Sequence, residues 1–380
     1  MGIVKKNIFW ITADAFVDCD FNPQILSGIL KFYNIKWLIL LPAQNARFKE
    51  NDFESLKKLQ GLSISFLYEN YRARDPRMLF FYEKLYWKIK REPSEVIYFN
   101  NVPSNPYILP LYWRLNKSRT IFTAHDGNVK PTFKFPWISK MTFQFAFGTV
   151  KYVNMFSQSQ AKLFANTFCG VKIFETPLGL KDFGQSTLSK RKDNITFLFF
   201  GTIHPGKNLG LLIDAACSLF EEGQRGFKIS INGSCANWEI YQQKIKYPEL
   251  FELNIRMIEN AEIPKLFAQN HYMVFPYKEM SQSGALKVAF NYNVPVIVSD
   301  LEGFTDEVKD CINGYVFESE NIVDLKKVMT NCIINHRDDY LISCKKMNEH
   351  TQKYYYESSI ALKYIEMFET IVTTQKIIVH

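Results

Sequence analysis

Short apolar runs of about four to eight residues, bounded by polar or turn residues and separated by helical patterns, recur along this chain and constrain its fold most. In the first half they are "NIFWIT", "IKWLILLP", "LSISFLY", "EVIYFN", "RTIFTAHD" and "YVNMFSQS". Their near-continuous apolar character suits a parallel sheet covered on both faces. Segments such as "PQILSGILKFYN" and "QAKLFANTF" read as the intervening helices. The polar stretch 182–194 interrupts this rhythm, which restarts with "ITFLFFG", "FKISING", "IRMIE", "YMVFPY" and "VPVIVSD". The expectation is an α/β chain of two Rossmann-like domains facing each other across a cleft. Their boundaries are 1–182 and 183–354. "SSIALKYIEMFETIVTT" places Ile360, Tyr364, Ile365, Phe368 and Val372 at helical spacing. A helix over about 355–380 is therefore expected to cross back onto the first domain.

The chain has 380 residues, 47% hydrophobic and 22% charged, which suits two packed domains rather than disorder. Its net charge of +8 would serve nucleic acid, an anionic membrane surface or an acidic ligand. No RRM, zinc-finger or helix-turn-helix pattern is present, so nucleic acid is not an expected partner. The seven cysteines are scattered without a C-x-x-C pair. They are expected to be reduced, mostly buried thiols, with no zinc site or disulfide framework. "MGIVKKNIFWITADAF" superficially suggests a secretory signal, but Asp14 breaks its apolar run. No stretch reaches the roughly 18 apolar residues of a membrane span. A first strand and a cytoplasmic chain, peripheral at the inner membrane face, are the expectation.

The stretch "FLFFGTIHPGKNLGLLIDAA", 197–216, reads as strand, turn and amphipathic helix. It is one residue short of a P-loop, because Asn208 stands where a Ser or Thr hydroxyl would bind Mg²⁺. A P-loop NTPase would leave the first domain unexplained. A different phosphate-binding turn explains more.

From 197 onward the sequence resembles the retaining, nucleotide-sugar-dependent glycosyltransferases of family four. The likeness is carried by "FFGTIHPGKNLGLLIDA", "ENAEIPKLFAQNHYMVFPY", "SQSGALKVAFNYNVPVIVSD" and "EGFTDEVKDCINGYVFE". Earlier, "FTAHDG" and "FSQSQAKLFANTF" running into "ETPLGLKDFG" extend it over residues 120 to 320. The resemblance implies the two-domain GT-B fold. It also implies transfer of a hexose-like sugar from a nucleotide-sugar co-substrate to a hydroxyl, with no other cofactor and no metal.

In such chemistry negative charge grows on the departing β-phosphate, so catalysis needs fixed cations and amide dipoles aimed there. Lys207 fits the family's phosphate-binding lysine, or is a solvated lysine at a helix start. Family members often carry an Arg a few residues earlier. Here Thr202 and His204 occupy that turn, with His204 the weaker candidate for a second phosphate contact. Ser281, Gln282, Ser283 and Gly284 precede "ALKVAFNYN". A Ser cap and free N–H groups there would bind diphosphate, or simply start a helix. His125, ending a strand in "FTAHDG", matches a histidine that hydrogen-bonds the donor sugar, or is satisfied by backbone. Ile258 and Asn260 match a segment whose backbone grips the nucleobase. Glu307 stands at a recurrent family acid expected near the donor.

The family's two glutamates, with seven residues between them, fall here on Met280 and Val288, neither of which can bind a ribose as a carboxylate does. Glu279, one residue off, is the candidate substitute. This departure makes a second reading credible: a degenerate GT-B protein that binds nucleotide or glycan without transfer.

"RARDPRMLFFYEKLYWKIKRE", 72–92, interleaves bases with aromatics, and "KPTFKFPWISKMTFQFAF", 130–147, is similarly apolar and basic. Each reads as an ordinary helix, or as a surface lying on anionic lipid. Together they point to a peripheral enzyme extending a glycan or lipid-linked glycan in cell-surface polysaccharide or glycoconjugate synthesis.

Overall fold

The structure, a computed structural model, describes residues 5–17, 23–103, 105–129 and 136–378. Cys19 and the first six residues of the 130–147 stretch lie outside the described residues, as does the extreme N-terminus of the signal-like segment. The chain forms two compact units. Unit 1 is Met1–Gly179 with Glu357–His380, and unit 2 is Leu180–Tyr356.

Among the described residues unit 1 holds seven strands: β1 (Lys6–Ala13), β2 (Tyr33–Pro42), β3 (Leu62–Glu69), β4 (Val96–Phe99), β5 (Thr120–Ala124), β6 (Tyr152–Met155) and β7 (Lys172–Glu175). They form one sheet in the order β3-β2-β1-β4-β5-β6-β7, every pairing parallel. β4, β5 and β6 are buried along their whole length, as strands covered on both faces must be. One face is covered by the helices Pro23–Leu30 and Glu357–Ile378, which pack on each other. In register, Trp10 of β1 stands between Trp37 and Tyr98. Tyr364 and Phe368 of the C-terminal helix meet this row, with ring centroids 5.4 and 6.1 Å from Trp10. The C-terminal helix therefore does return to the first unit.

Unit 2 holds β8 (Ile195–Phe200), β9 (Phe227–Asn232), β10 (Phe251–Asn254), β11 (Tyr272–Phe275), β12 (Val296–Ser299) and β13 (Gly314–Phe317). Their order is β10-β9-β8-β11-β12-β13, again parallel throughout. Two Rossmann-like sheets in one chain, as expected, are thus present.

Three details differ from the sequence reading. "IRMIE" is not a strand; the strand lies earlier, at Phe251–Asn254, because Leu250 and Phe251 are buried while Met257 is 78% exposed. The strands β7 and β13 were not recognised: β7 is an edge strand with no buried residue, and β13 is only half-buried at Tyr315 and Val316. Of the six described cysteines, all free thiols, only Cys217 and Cys332 are buried, while Cys169 and Cys311 are exposed. Among the described residues no helix is long and apolar enough to cross a membrane.

Candidate functional site

In unit 2 the strand order reverses beside β8, which has β9 on one side and β11 on the other. Loops leaving the carboxyl ends of β8 and β11 diverge there and leave the crevice where open α/β sheets bind ligands. The β8 loop holds Lys207, and the β11 loop holds Glu279 and Ser283.

The β8 loop begins with Gly201, at φ +109°. Gly233, at φ +155° after β9, packs so closely that a Cβ there would lie 2.0 Å from the Gly201 carbonyl oxygen. Only glycine allows that approach. A 3₁₀ turn, Pro205–Lys207, follows, closed by the Lys207 N–H donating to the His204 carbonyl at 2.9 Å. Asn208 then adopts the left-handed conformation (φ 47°), which asparagine tolerates, before the helix Leu209–Glu221. The lysine is thus separated from the helix by a reversed residue without a hydroxyl, which argues against a P-loop.

Lys207 folds back over its own turn. Its ammonium lies 5.3 Å from the Tyr277 ring centroid and would be 2.9 Å from a Cβ on Gly201. Among the described residues it has no hydrogen bond or ion pair. Burial without a counter-charge lowers its pKa to about 8. A cation held this way is destabilising until an anion meets it.

The β11 loop is stitched to the same turn. The Lys278 N–H donates to the Gly206 carbonyl at 3.0 Å. The Glu279 carboxylate lies against Gly206, where a Cβ would come within 2.2 Å of its Oε1. Tyr277 is buried, and burial pushes its phenol well above the ordinary range, against a hydrogen bond from Ser283. Ser283, itself buried, caps the helix Gly284–Asn291 by accepting the Leu286 N–H at 3.2 Å. Lys207, Tyr277 and Ser283 are therefore contiguous. Ser281 and Gln282 lie half-buried between Glu279 and this cap, and Thr202 and His204 are exposed on the β8 turn.

Lys181 was not singled out from sequence. Its ammonium lies beside the first residue of that helix, where a Cβ on Gly284 would be 2.9 Å from Nζ. A lysine 103 residues before Gly284 carries no local pattern that would have revealed it.

The two positions aligned with the family glutamates point elsewhere. Val288 is 3% exposed, inside the core, and the Met280 methyl packs toward Gly303. Glu307 is tied from two sides: Lys287, 1% exposed, donates to its carboxylate, and so does the Tyr355 hydroxyl. Burial lowers the Lys287 pKa, and the ammonium also lies 4.0 Å from the Tyr355 ring centroid. Ile258 is half-buried and Asn260 exposed, both after β10.

In unit 1, His125 follows β5 at its carboxyl end. Its Nε2–H donates to the Asn100 carbonyl at 2.9 Å, which fixes the ring between Phe16 and Phe156 at centroid distances of 4.3 and 5.0 Å. The backbone partner weighed from sequence is thus present.

Two Rossmann-like units, with a C-terminal helix returned to the first, define the GT-B architecture. Solved structures of that class align over nearly the whole chain. Anabaena Alr3699/HepE in complex with UDP and glucose aligns with 14% identity and a TM-score of 0.70, over 96% of this chain and 100% of that one. Sucrose-phosphate synthase from Thermosynechococcus elongatus gives 12%, 0.73, 97% and 100%. The catalytic domain of starch synthase IV from Arabidopsis thaliana, bound to ADP and acarbose, gives 13%, 0.70, 97% and 100%. Residues 194–335 match the family Glycosyl transferases group 1. That matched stretch lies within unit 2, Leu180–Tyr356. No curated protein matches the chain.

Proposed function

We propose that the chain is a retaining glycosyltransferase moving a hexose-like sugar from a nucleotide-sugar donor to a hydroxyl of a glycan or lipid-linked glycan. The observation that carries this reading is the unpaired Lys207 ammonium, joined through Tyr277 to the Ser283-capped helix at the reversal of the unit 2 sheet. Both would face the departing diphosphate, the lysine as a charge and the helix through its free N–H groups. Ser281, Gln282 and Gly284 belong to the same approach, with Thr202 and His204 lining its β8 side. Lys181 adds a second cation where the β8 turn lacks the usual arginine.

His125, held by Asn100, would position the sugar, and Ile258 and Asn260 the base. Glu279 is the candidate for the ribose. Glu307 acts at a distance, through Lys287, by fixing the helix that binds phosphate. The acceptor hydroxyl attacks the anomeric carbon from the face the diphosphate leaves. Its proton passes to the departing phosphate oxygen, so the product keeps the donor's configuration without a side-chain nucleophile. Lys207 and the helix supply the charge, so the scheme requires no metal or other cofactor. A lipid-linked acceptor, in cell-surface polysaccharide or glycoconjugate synthesis, would bring the enzyme to the cytoplasmic membrane face as a peripheral protein.

A second reading, a GT-B protein that binds without transferring, is favoured by the interior placement of Val288 and the engagement of Glu307. Release of nucleotide from UDP-, GDP- and ADP-glucose separates the two. UDP-glucose is the first donor to try, given the UDP and glucose bound to HepE. The transferase reading predicts release that drops about 10²–10³-fold in Lys207→Ala. Binding without release, with candidate acceptors present, supports the second reading, and Mg²⁺-dependent ATP hydrolysis would restore the P-loop.

A further inference from the structure

Three helices cover the other face of the unit 1 sheet: Met78–Arg91, Leu109–Arg114 and Pro136–Thr149. Their inward residues, among them Leu85, Leu111 and Phe147, share one core with Phe9, Phe99 and Phe122 of the strands. The middle helix packs against both others, so the three make one layer with a common outer surface.

That surface is apolar where a solvated face would be polar. Phe80 is 74% exposed, Trp113 72% and Trp137 67%. Leu79, Trp87 and Met141 are each exposed by more than 40%. Three of the chain's six tryptophans are exposed, and all three stand on this layer; Trp10 and Trp37 are core residues and Trp238 is half-buried. Single exposed apolar residues are ordinary, but tryptophan and phenylalanine projecting from three adjacent helices form a patch.

Cations accompany it. Lys84, Lys90, Arg91 and Lys140 are exposed and Lys88 is half-buried, and none of the five makes an ion pair among the described residues. The acids nearby are already neutralised: Glu83 by Arg114, Asp75 by Arg77 and Glu92 by Lys36. The layer therefore carries a net positive charge around projecting indole and phenyl rings.

We propose that this layer seats the protein on an anionic lipid bilayer. Indole rings favour the headgroup depth of a membrane, where an apolar body and a polar N–H are both satisfied. Unpaired lysines and arginines at the same surface are drawn to anionic headgroups. A bilayer accepts projecting rings without a shaped socket, which suits scattered protrusions better than a protein partner does. The proposal stands on unit 1 alone and is independent of sugar transfer by unit 2.

The test uses the full chain with vesicles of phosphatidylcholine alone and of phosphatidylcholine with phosphatidylglycerol. Cosedimentation measures binding, and brominated lipids report whether tryptophan reaches the acyl region by quenching its fluorescence. Binding is expected on the anionic vesicles only, with quenching, and weakening at high salt. Trp113→Ala with Trp137→Ala should lower the bound-to-free ratio by more than about tenfold. Lys84→Ala and Lys140→Ala should each lower it about fivefold. All four side chains are exposed, so thermal melts should match the parent and show that the fold is intact. No binding to either vesicle, or binding undiminished in the variants, would overturn the proposal. A concentration-dependent dimer abolished by the double tryptophan variant would overturn it too, by making the layer an interface between copies. Nucleotide affinity, measured in the same variants, should not change.

Discussion

The Lys207 ammonium is held over the Tyr277 ring with no carboxylate bonded to it, and the fold keeps it there although its charge is poorly solvated. Its pKa in the folded protein, about 8, is below the ordinary 10.5. The folded state therefore releases this proton earlier than the unfolded chain does. Lys207's burial penalty is at full strength below pH 8 and is relieved as the pH rises toward 10.5. Ligand binding has the opposite sign, because a diphosphate needs the charged form. Nucleoside diphosphate affinity should fall as pH rises through 8, with a limiting slope of about one decade per pH unit. Calorimetry across that range checks it, and Lys207→Ala should abolish this slope while raising thermal stability at pH 7. A flat profile in the parent would remove the lysine from the site. Glu307 makes a contrasting prediction. Because its carboxylate neutralises the buried Lys287, Glu307→Gln should destabilise unit 2 by about 3–5 kcal/mol in urea unfolding. A loss below 1 kcal/mol would show that the pair does not hold that helix.

The helix Glu357–Ile378 shows what one element can impose. It lies on the helix Pro23–Leu30 so closely that a Cβ on Gly28 would come within 2.6 Å of the Ala361 Cβ. Phe368, fully buried, meets Tyr33, Tyr98 and Trp10. Phe368→Ala should therefore cost about 3–5 kcal/mol, read as a lower denaturation midpoint for unit 1, and unchanged stability would contradict this packing. The helix was legible in the sequence because Ile360, Tyr364 and Phe368 repeat at helical spacing. So was the turn after β8, where an apolar run meets Gly201, Gly206 and Lys207. The helix His336–Tyr354 was not, since only Tyr340, Met347 and Thr351 are buried along it and its periodicity is faint. β13 failed for a related reason: only Gly314 and Phe317 of its four residues are buried, so no continuous apolar run marks it. Partnerships over long separations were illegible as well. Neither Lys287 with Glu307 nor Lys181 beside Gly284 leaves a local pattern, since each depends on how loops close in space.

At the scale of the whole molecule, two parallel sheets place their loops at carboxyl edges, and chemistry is assigned by what those edges carry. Unit 1 offers His125 fixed by Asn100, together with an aromatic and basic helical layer. Unit 2 offers the cation and helix terminus suited to a leaving diphosphate, on the domain that matches the glycosyl transferases. With Met280 and Val288 where carboxylates would stand, the proposed grip on a nucleotide would rest chiefly on phosphate, with Glu279 the one candidate for the ribose. Titration calorimetry of UDP, GDP and ADP into the parent protein and into Lys207→Ala tests that dependence directly. One nucleotide should bind the parent, and its affinity should fall in the variant by about 1.5–3 kcal/mol, or roughly 10–150-fold. Equal affinity in both proteins, or no binding of any of the three to the parent, would contradict the account.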